Sequence, residues 1–191
     1  MGAATTTGGP RRSDARRNRE RLVEAAHRVF SAQGIDVPLD AIARDSGVGN
    51  ATMYRNFPTR DALLEAVLHE RLEGLTATAE RLMTATPTDT ALLDWLREFL
   101  TYVQMYRGLP DPVMATMRDS DSPLYASCKQ MRDAAAQLLV RAQTAGTVAA
   151  DIEASDLFAH ATGIAWAAQR APSPGRADRL LAILANGIRP L

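Results

Sequence analysis

Apolar residues recur at intervals of three and four along nearly the whole chain, the spacing of one helical face. Leu22, Ala25, Ala26, Val29 and Phe30 form the first such stripe, in a helix expected from about Ser13 to Gln33. Ser13 or Asp14 can cap it, and Gly34 stops it. In the next stretch, LDAIARDSGVGNATMYRNF from Leu39 to Phe57, Ile42 and Ala43 are the inward pair of a short second helix. Ser46-Gly47 breaks that helix, Val48 fills the corner, and a third helix follows from Asn50 to Asn56, with its cap at Gly49 or Asn50. Pro58-Thr59 punctuates again. Thr59 offers an N-cap to a fourth helix, which has Asp61 in its first turn, Leu63, Leu64, Val67, Leu68 and Leu72 as its stripe, and an expected end near Thr84.

Beyond Pro87 the period stays helical. Residues 91–107 carry Leu92, Leu93, Trp95, Leu96, Phe99, Leu100 and Val103, apolar over a wide arc. A short helix is expected over 112–118. Pro123 stands at the first position of a long helix that Gly146 ends. Two more follow, over 154–169 and 176–188, divided by Ala-Pro-Ser-Pro-Gly. No alternating pattern of useful length and no internal repeat interrupts the series. The expected fold is all-α, with about nine helices.

The stretch from Leu39 to Phe57 is the most informative. Two helices crossing through a turn of three or four residues, with glycine in the turn, make a helix-turn-helix. A second helix that is short and polar on one side can enter a DNA major groove. The formal net charge of zero, from 22 basic and 22 acidic side chains, argues against nucleic acid at first sight. The distribution reverses that. Residues 1–60 hold ten arginines and six carboxylates, while residues 61–191 hold twelve basic and sixteen acidic side chains. Phosphate attraction depends on local charge, so a basic first third on an acidic body suits a DNA-binding head on a regulatory domain.

The run Gly47-Val48-x-x-x-Thr52-Met53-Tyr54-x-x-Phe57-x-x-Arg60-x-x-Leu63-Leu64 resembles the N-terminal domain of the TetR family of bacterial transcriptional repressors. That family usually has a Gly-Val turn, a Thr-Leu-Tyr core in the recognition helix, then His-Phe and a Lys three residues on. Here Met53 replaces the Leu, Asn56 the His and Arg60 the Lys, and Val37-Pro38 stands where a Thr or Ser cap is common. The resemblance implies that Thr52 and Tyr54 touch phosphates or base edges and that Arg60 reaches a phosphate at the start of the fourth helix. It implies that Asn50, Ala51 and Arg55 set sequence preference. Asn can pair with adenine and Arg with guanine through two hydrogen bonds each. Thr59 joins this DNA-facing set, and Arg12 and Arg16 belong to a basic arm able to track phosphates.

The Gly, Thr and Pro content of residues 1–12 suggests a basic, disordered tail, and the resemblance divides the rest into a DNA-binding domain over 13–60 with its helix-turn-helix at about 39–57, a connecting helix over 59–84, and an effector-binding and dimerisation domain over 85–191. The expected effector chamber draws on Trp95, Phe99, Tyr102, Met114, Met117, Tyr125 and Cys128, with Phe158 and Trp166 behind. Methionine adapts to irregular shapes, and tyrosine offers an apolar wall with a polar tip. This set contains no Arg or Lys, so the effector is expected to be apolar or aromatic with few charges. The last two helices, one rich in Ala, Gly and Thr and one with Leu180, Leu181, Ile183, Leu184 and Ile188, are expected to pair across a two-fold axis as a homodimer.

The remaining features set bounds. No run of eighteen apolar residues occurs, so no membrane-spanning helix is expected. The N-terminal stretch has no apolar core of the signal-peptide kind. A single cysteine, Cys128, excludes an intrachain disulfide and suits a reducing cytoplasm. His27, His69 and His160 lack ligand spacing with Cys128, so no metal or other cofactor is expected. A small helical enzyme would need a clustered nucleophile, base or metal set, which the sequence does not offer. A helical adaptor would need neither the basic first third nor the polar, Tyr-bearing third helix. The expected function is a repressor that an apolar small molecule releases from its operator.

Overall fold

The computed structural model describes residues 10–84, 88–105, 115–170 and 173–190, leaving aside the side chains of residues 10–12, 88, 89 and 105. Eight helices occur among them: α1 Pro10–Gln33, α2 Leu39–Ser46, α3 Asn50–Asn56, α4 Arg60–Met83, α5 Thr88–Met105, α6 Pro123–Thr144, α7 Ala154–Arg170 and α8 Arg176–Gly187. No strand occurs among these residues. The count is eight where about nine were expected. The short helix expected at 112–118 lies partly outside the described residues. What is described there is helical at Ala115 and Thr116 and ends in a turn, with the amides of Arg118 and Asp119 both donating to Ala115 O. α1 also begins three residues before the expected Ser13. Proline suits a first helical turn, where its missing N–H would have no partner inside the helix.

The chain divides into two compact units at Val67/Leu68, with α4 contributing to each. In the first, the expected stripes converge. Leu22, Ala25, Ala26, Val29 and Phe30 of α1 are buried, with Ile42 and Ala43 of α2, Met53 and Phe57 in and after α3, and Leu63, Leu64 and Val67 of α4. Each α1 stripe residue is shielded because α2 and α3 both pack on that helix.

The turn between α2 and α3 is fixed by backbone chemistry. Gly47 takes φ +66°, a left-handed conformation open to glycine at little cost. The amide of Val48 then reaches back to Ala43 O at 3.1 Å, closing the end of α2. Ser46 Oγ donates to Ala43 O at 2.8 Å and accepts from the Val48 amide at 3.2 Å, so its buried hydroxyl is satisfied. α2 starts behind Pro38 with no side-chain cap, as the Val37-Pro38 departure in the sequence foreshadows.

In the second unit the core comes from the remainder of α4 and from α5 to α8. Leu72, Leu75, Ala79, Leu92, Trp95, Leu96, Leu138, Leu139, Leu157, Ala161 and Leu181 are buried. Two side chains finish α4 on this side. Trp95 Nε1 donates to Leu75 O at 2.9 Å, and the Arg141 guanidinium donates to Leu82 O at 2.6 Å, near the helix end where carbonyls lack partners. α6 opens as expected for Ser-Pro: Pro123 leads the first turn, and Ser122 Oγ accepts from the Tyr125 amide at 3.0 Å.

Candidate nucleic-acid interface and effector cavity

α3 is pinned by two residues. Met53 and Phe57 are 0% and 1% exposed, and the Arg19 guanidinium lies 4.4 Å from the Phe57 ring centre. With the anchors on one side, Asn50, Ala51, Tyr54 and Arg55 stand exposed on the other, and Thr52 is half-buried. This is the polar face the sequence pattern called for, on a helix of two turns whose register is set by a glycine turn.

The side chains on that face are partly engaged with one another. Tyr54, 46% exposed, donates its hydroxyl to Asp40 Oδ1 of α2 at 3.1 Å. This bond and the carboxylate charge raise the phenol pKa above its ordinary 10.0. Arg55 bends back along its own helix, Nε to Ala51 O at 3.1 Å and Nη2 to Thr52 Oγ1 at 2.9 Å. Asn56 Nδ2 donates to Thr52 O at 2.8 Å. Thr59 Oγ1 accepts from the Ala62 amide at 3.1 Å, the N-cap bond expected of it.

Arg60 differs most from its expected placement. Its half-buried guanidinium donates to Val37 O at 2.7 Å and to Ile35 O, tying the start of α4 to the loop between α1 and α2. Arg16 is exposed and pairs with Glu20 at 3.3 Å, while the Arg12 side chain lies outside the described residues. Two further arginines, not among the sequence candidates, brace the motif. Arg21 Nη2 donates to Ser46 O at 2.6 Å, and Arg28 pairs with Asp45 at 2.8 Å. These partners are 25 and 17 residues apart in sequence, so no helical periodicity could announce them.

The second unit contains a cavity of about 400 Å³ lined by Leu72, Phe99, Tyr102, Val103, Met117, Arg118, Cys128, Met131, Arg132 and Phe158. Five of the nine expected effector residues are here: Phe99, Tyr102, Met117, Cys128 and Phe158. Trp95 is not on the wall. It is sealed in the core behind, stacked on Phe99 at 5.4 Å between ring centres and edge-on to Phe158 at 5.9 Å. Trp166 lies away from the cavity, 59% exposed on α7, with the Arg170 guanidinium 4.6 Å from its ring centre. Tyr125 is half-buried and does not line the cavity, and Met114 lies outside the described residues.

The expectation of a wall without Arg or Lys is overturned, because Arg118 and Arg132 both border the cavity. They stand well apart from the aromatic positions in sequence, on the turn before α6 and on α6 itself, so only the packing brings them together. Burial raises the Cys128 thiol pKa, and the adjacent Arg132 offsets part of the rise. A second hollow of about 510 Å³, beside Leu92, Ala142, Val148 and Ile188, has no aromatic wall. Among the described residues no three His, Cys, Asp or Glu side chains converge as a metal site would require, and no helix is long and apolar enough to cross a membrane.

An anchored helix with an exposed polar face, behind a glycine turn, defines a helix-turn-helix DNA-binding protein. Comparison with known proteins gives the family. Residues 22–67 match the profile of bacterial regulatory proteins of the tetR family, and residues 87–190 match that of the C-terminal domain of SbtR-like transcriptional regulators. The TetR transcriptional regulator SCO0520 from Streptomyces coelicolor is similar in structure at a TM-score of 0.74 and 37% identity, over 90% of this chain and 98% of that one. The regulator LfrR from Mycobacterium smegmatis, solved in complex with proflavine, is similar at a TM-score of 0.66 and 24% identity, over 93% and 99% of the two chains, a likeness of fold. An HTH-type transcriptional regulator of Staphylococcus aureus (strain USA300) is 35% identical over 63 residues, covering 32% of this chain and 34% of that protein. The chain thus spans about a third of the length of the curated relatives it matches. The chain belongs to the TetR family of DNA-binding transcriptional regulators.

Proposed function

We propose that the chain is a cytoplasmic repressor that binds a two-fold operator as a homodimer and leaves it when a small molecule occupies the cavity of the second unit. The observation that carries the DNA reading is the exposed face of α3, held out by the buried anchors Met53 and Phe57. Asn50, Ala51 and Arg55 face the bases, and Thr52 and Tyr54 the bases or phosphates. Thr59 and the exposed Arg16 lie toward the phosphates, and Arg12 is assigned to the same role from the sequence. Arg60 acts one step removed, by fixing the loop behind the motif through Ile35 and Val37. The domain division at the outset serves this reading, with residues 13–60 binding DNA, 59–84 connecting and 85–191 holding effector and partner.

The dimer contact is assigned to α7 and α8. Ala159, Thr162, Gly163 and Trp166, at i, i+3, i+4 and i+7 on one face of α7, are exposed, and Ile183 on α8 is 67% exposed. Large apolar side chains beside small ones, both open to water, suit a closely approaching copy of the same helices. Two recognition helices presented by such a dimer would stand about 34–36 Å apart on adjacent major grooves. Ligand release then requires that the effector bind one head spacing better than the other, since equal affinity shifts nothing.

A gel shift with the DNA upstream of the chain's own gene tests the reading. Wild-type protein should give a discrete complex, weakened as salt rises. Arg55→Ala should change which operator bases are preferred, because a bidentate Arg–guanine contact is worth roughly 1–3 kcal/mol. No complex at any salt, or identical sequence preference in a folded Arg55→Ala variant, refutes the assignment.

A further inference from the structure

We infer that the cavity of the second unit takes an amphipathic monoanion, a molecule with a flat apolar body and a single acid group at the cavity mouth. This rests on the effector reading above and supplies its chemistry. Phe99, Phe158, Leu72 and Val103 give the cavity an apolar wall on which an aromatic body can lie. Arg118 and Arg132 both line the cavity, and both are exposed, so their charges lie where the cavity meets water. Among the described residues no Asp or Glu lines the cavity. Among the described residues neither guanidinium pairs with a carboxylate. Arg132 Nε makes only a long bond of 3.3 Å to Cys128 O, one turn back on its own helix.

Charge decides between ligand classes. A cation would face two like charges at the mouth. A neutral body would gain the apolar wall alone. An anion gains that wall and a planar fork whose geometry matches a carboxylate through two parallel hydrogen bonds. Because both arginines remain in contact with water, the pair forms without the full desolvation cost of a buried ion pair. A polyanion finds no further cation among the described residues of this wall. About 400 Å³ falls within the range of sites that hold drug-sized molecules.

Two fluorescent probes sharing one ring system separate these classes. 8-Anilinonaphthalene-1-sulfonate carries an acid group, and N-phenyl-1-naphthylamine is the same body without it. Titrated into the full chain, the sulfonate should bind about tenfold or more tighter, at one per chain. Arg118→Gln and Arg132→Gln should each weaken it by about tenfold, about 1.4 kcal/mol, and leave the neutral probe unmoved. Arg97→Gln, an exposed arginine paired with Asp94 and not on the cavity wall, should change neither. Equal affinity for the two probes, or sulfonate binding indifferent to both cavity arginines, overturns the inference. The regulatory reading fails separately: sulfonate that binds as expected but leaves an operator complex intact supports the site and refutes its role in release. Operator release by the neutral probe without any sulfonate preference does the reverse.

Discussion

Replacing Arg60 with Ala separates two roles that DNA binding alone would confuse. The resemblance places a phosphate contact at this position, whereas the structure shows the guanidinium donating to Ile35 O and Val37 O. Hydrogen bonds from a charged donor contribute about 1.5–3 kcal/mol each when they persist in place of water. Arg60 is only half-buried, and the two carbonyls lie on a loop that water can reach once the side chain is gone. The expected loss is therefore about 1–2 kcal/mol in all, nearer the cost of one such bond than two. For a chain of this size that lowers the melting midpoint by roughly 2–4 °C per kcal/mol. Arg60→Lys, which offers a point charge in place of a fork, should fall between wild type and Ala. Far-ultraviolet circular dichroism gives the midpoint, and operator titrations from low to high salt give the slope of log affinity against log salt. Loss of one phosphate contact changes that slope by about 0.9. The clamp predicts a lower midpoint with an unchanged slope. An unchanged midpoint with a slope reduced by about one unit would refute the clamp and return Arg60 to the phosphate backbone.

Three further outcomes follow from the geometry. Gly47→Ala forces a Cβ onto a residue at φ +66°, where it would also meet Arg21 Nη2 at 2.8 Å. The left-handed backbone alone costs about 1–2 kcal/mol, so the midpoint should fall, and an unchanged melt would contradict the turn geometry. Ile183→Glu places a charge on the apolar face assigned to the dimer and should shift sedimentation from dimer to monomer, while a wild-type chain that is monomeric at micromolar concentration would count against that face. Tyr54 has its pKa raised by Asp40, so the hydroxyl bond is present at neutral pH and is lost as pH climbs through the raised value. Asp40→Asn should bring the phenol's absorbance titration back down toward its ordinary pKa, and an unmoved titration would show that the two groups do not interact.

The helices and the DNA-reading motif were legible in the sequence because their causes are local. The three-and-four spacing of Leu22 to Phe30 sets which face of α1 is buried. Ser46-Gly47 can end a helix within a few residues of its own start, and Thr59 caps α4 with an amide three residues away. Exposure of Asn50, Tyr54 and Arg55 follows once Met53 and Phe57 are taken as anchors, since seven helical residues leave few other arrangements. What those polar groups bond to was decided by tertiary packing. Asp40 reaches Tyr54 across the turn, Arg60 reaches carbonyls more than twenty residues back, and Arg21 reaches Ser46 O, none of which a periodic pattern encodes.

The cavity of the second unit shows the same division more sharply. Core and cavity use the same apolar residue types, so composition alone could not tell the sealed Trp95 from the cavity-lining Phe99 one helical turn away, nor place Trp166 on the outside. It could not bring Arg118 and Arg132 to a shared apolar wall either, because the charge pattern along a helix says which side is polar and not what that side will border. The sequence by itself determined the helices, the glycine turn and the polar reading face, all products of short-range sterics and hydrogen bonding. The tertiary structure alone decided the shape of the cavity and the charge at its mouth, because both depend on how side chains distant in sequence fill, or fail to fill, one volume.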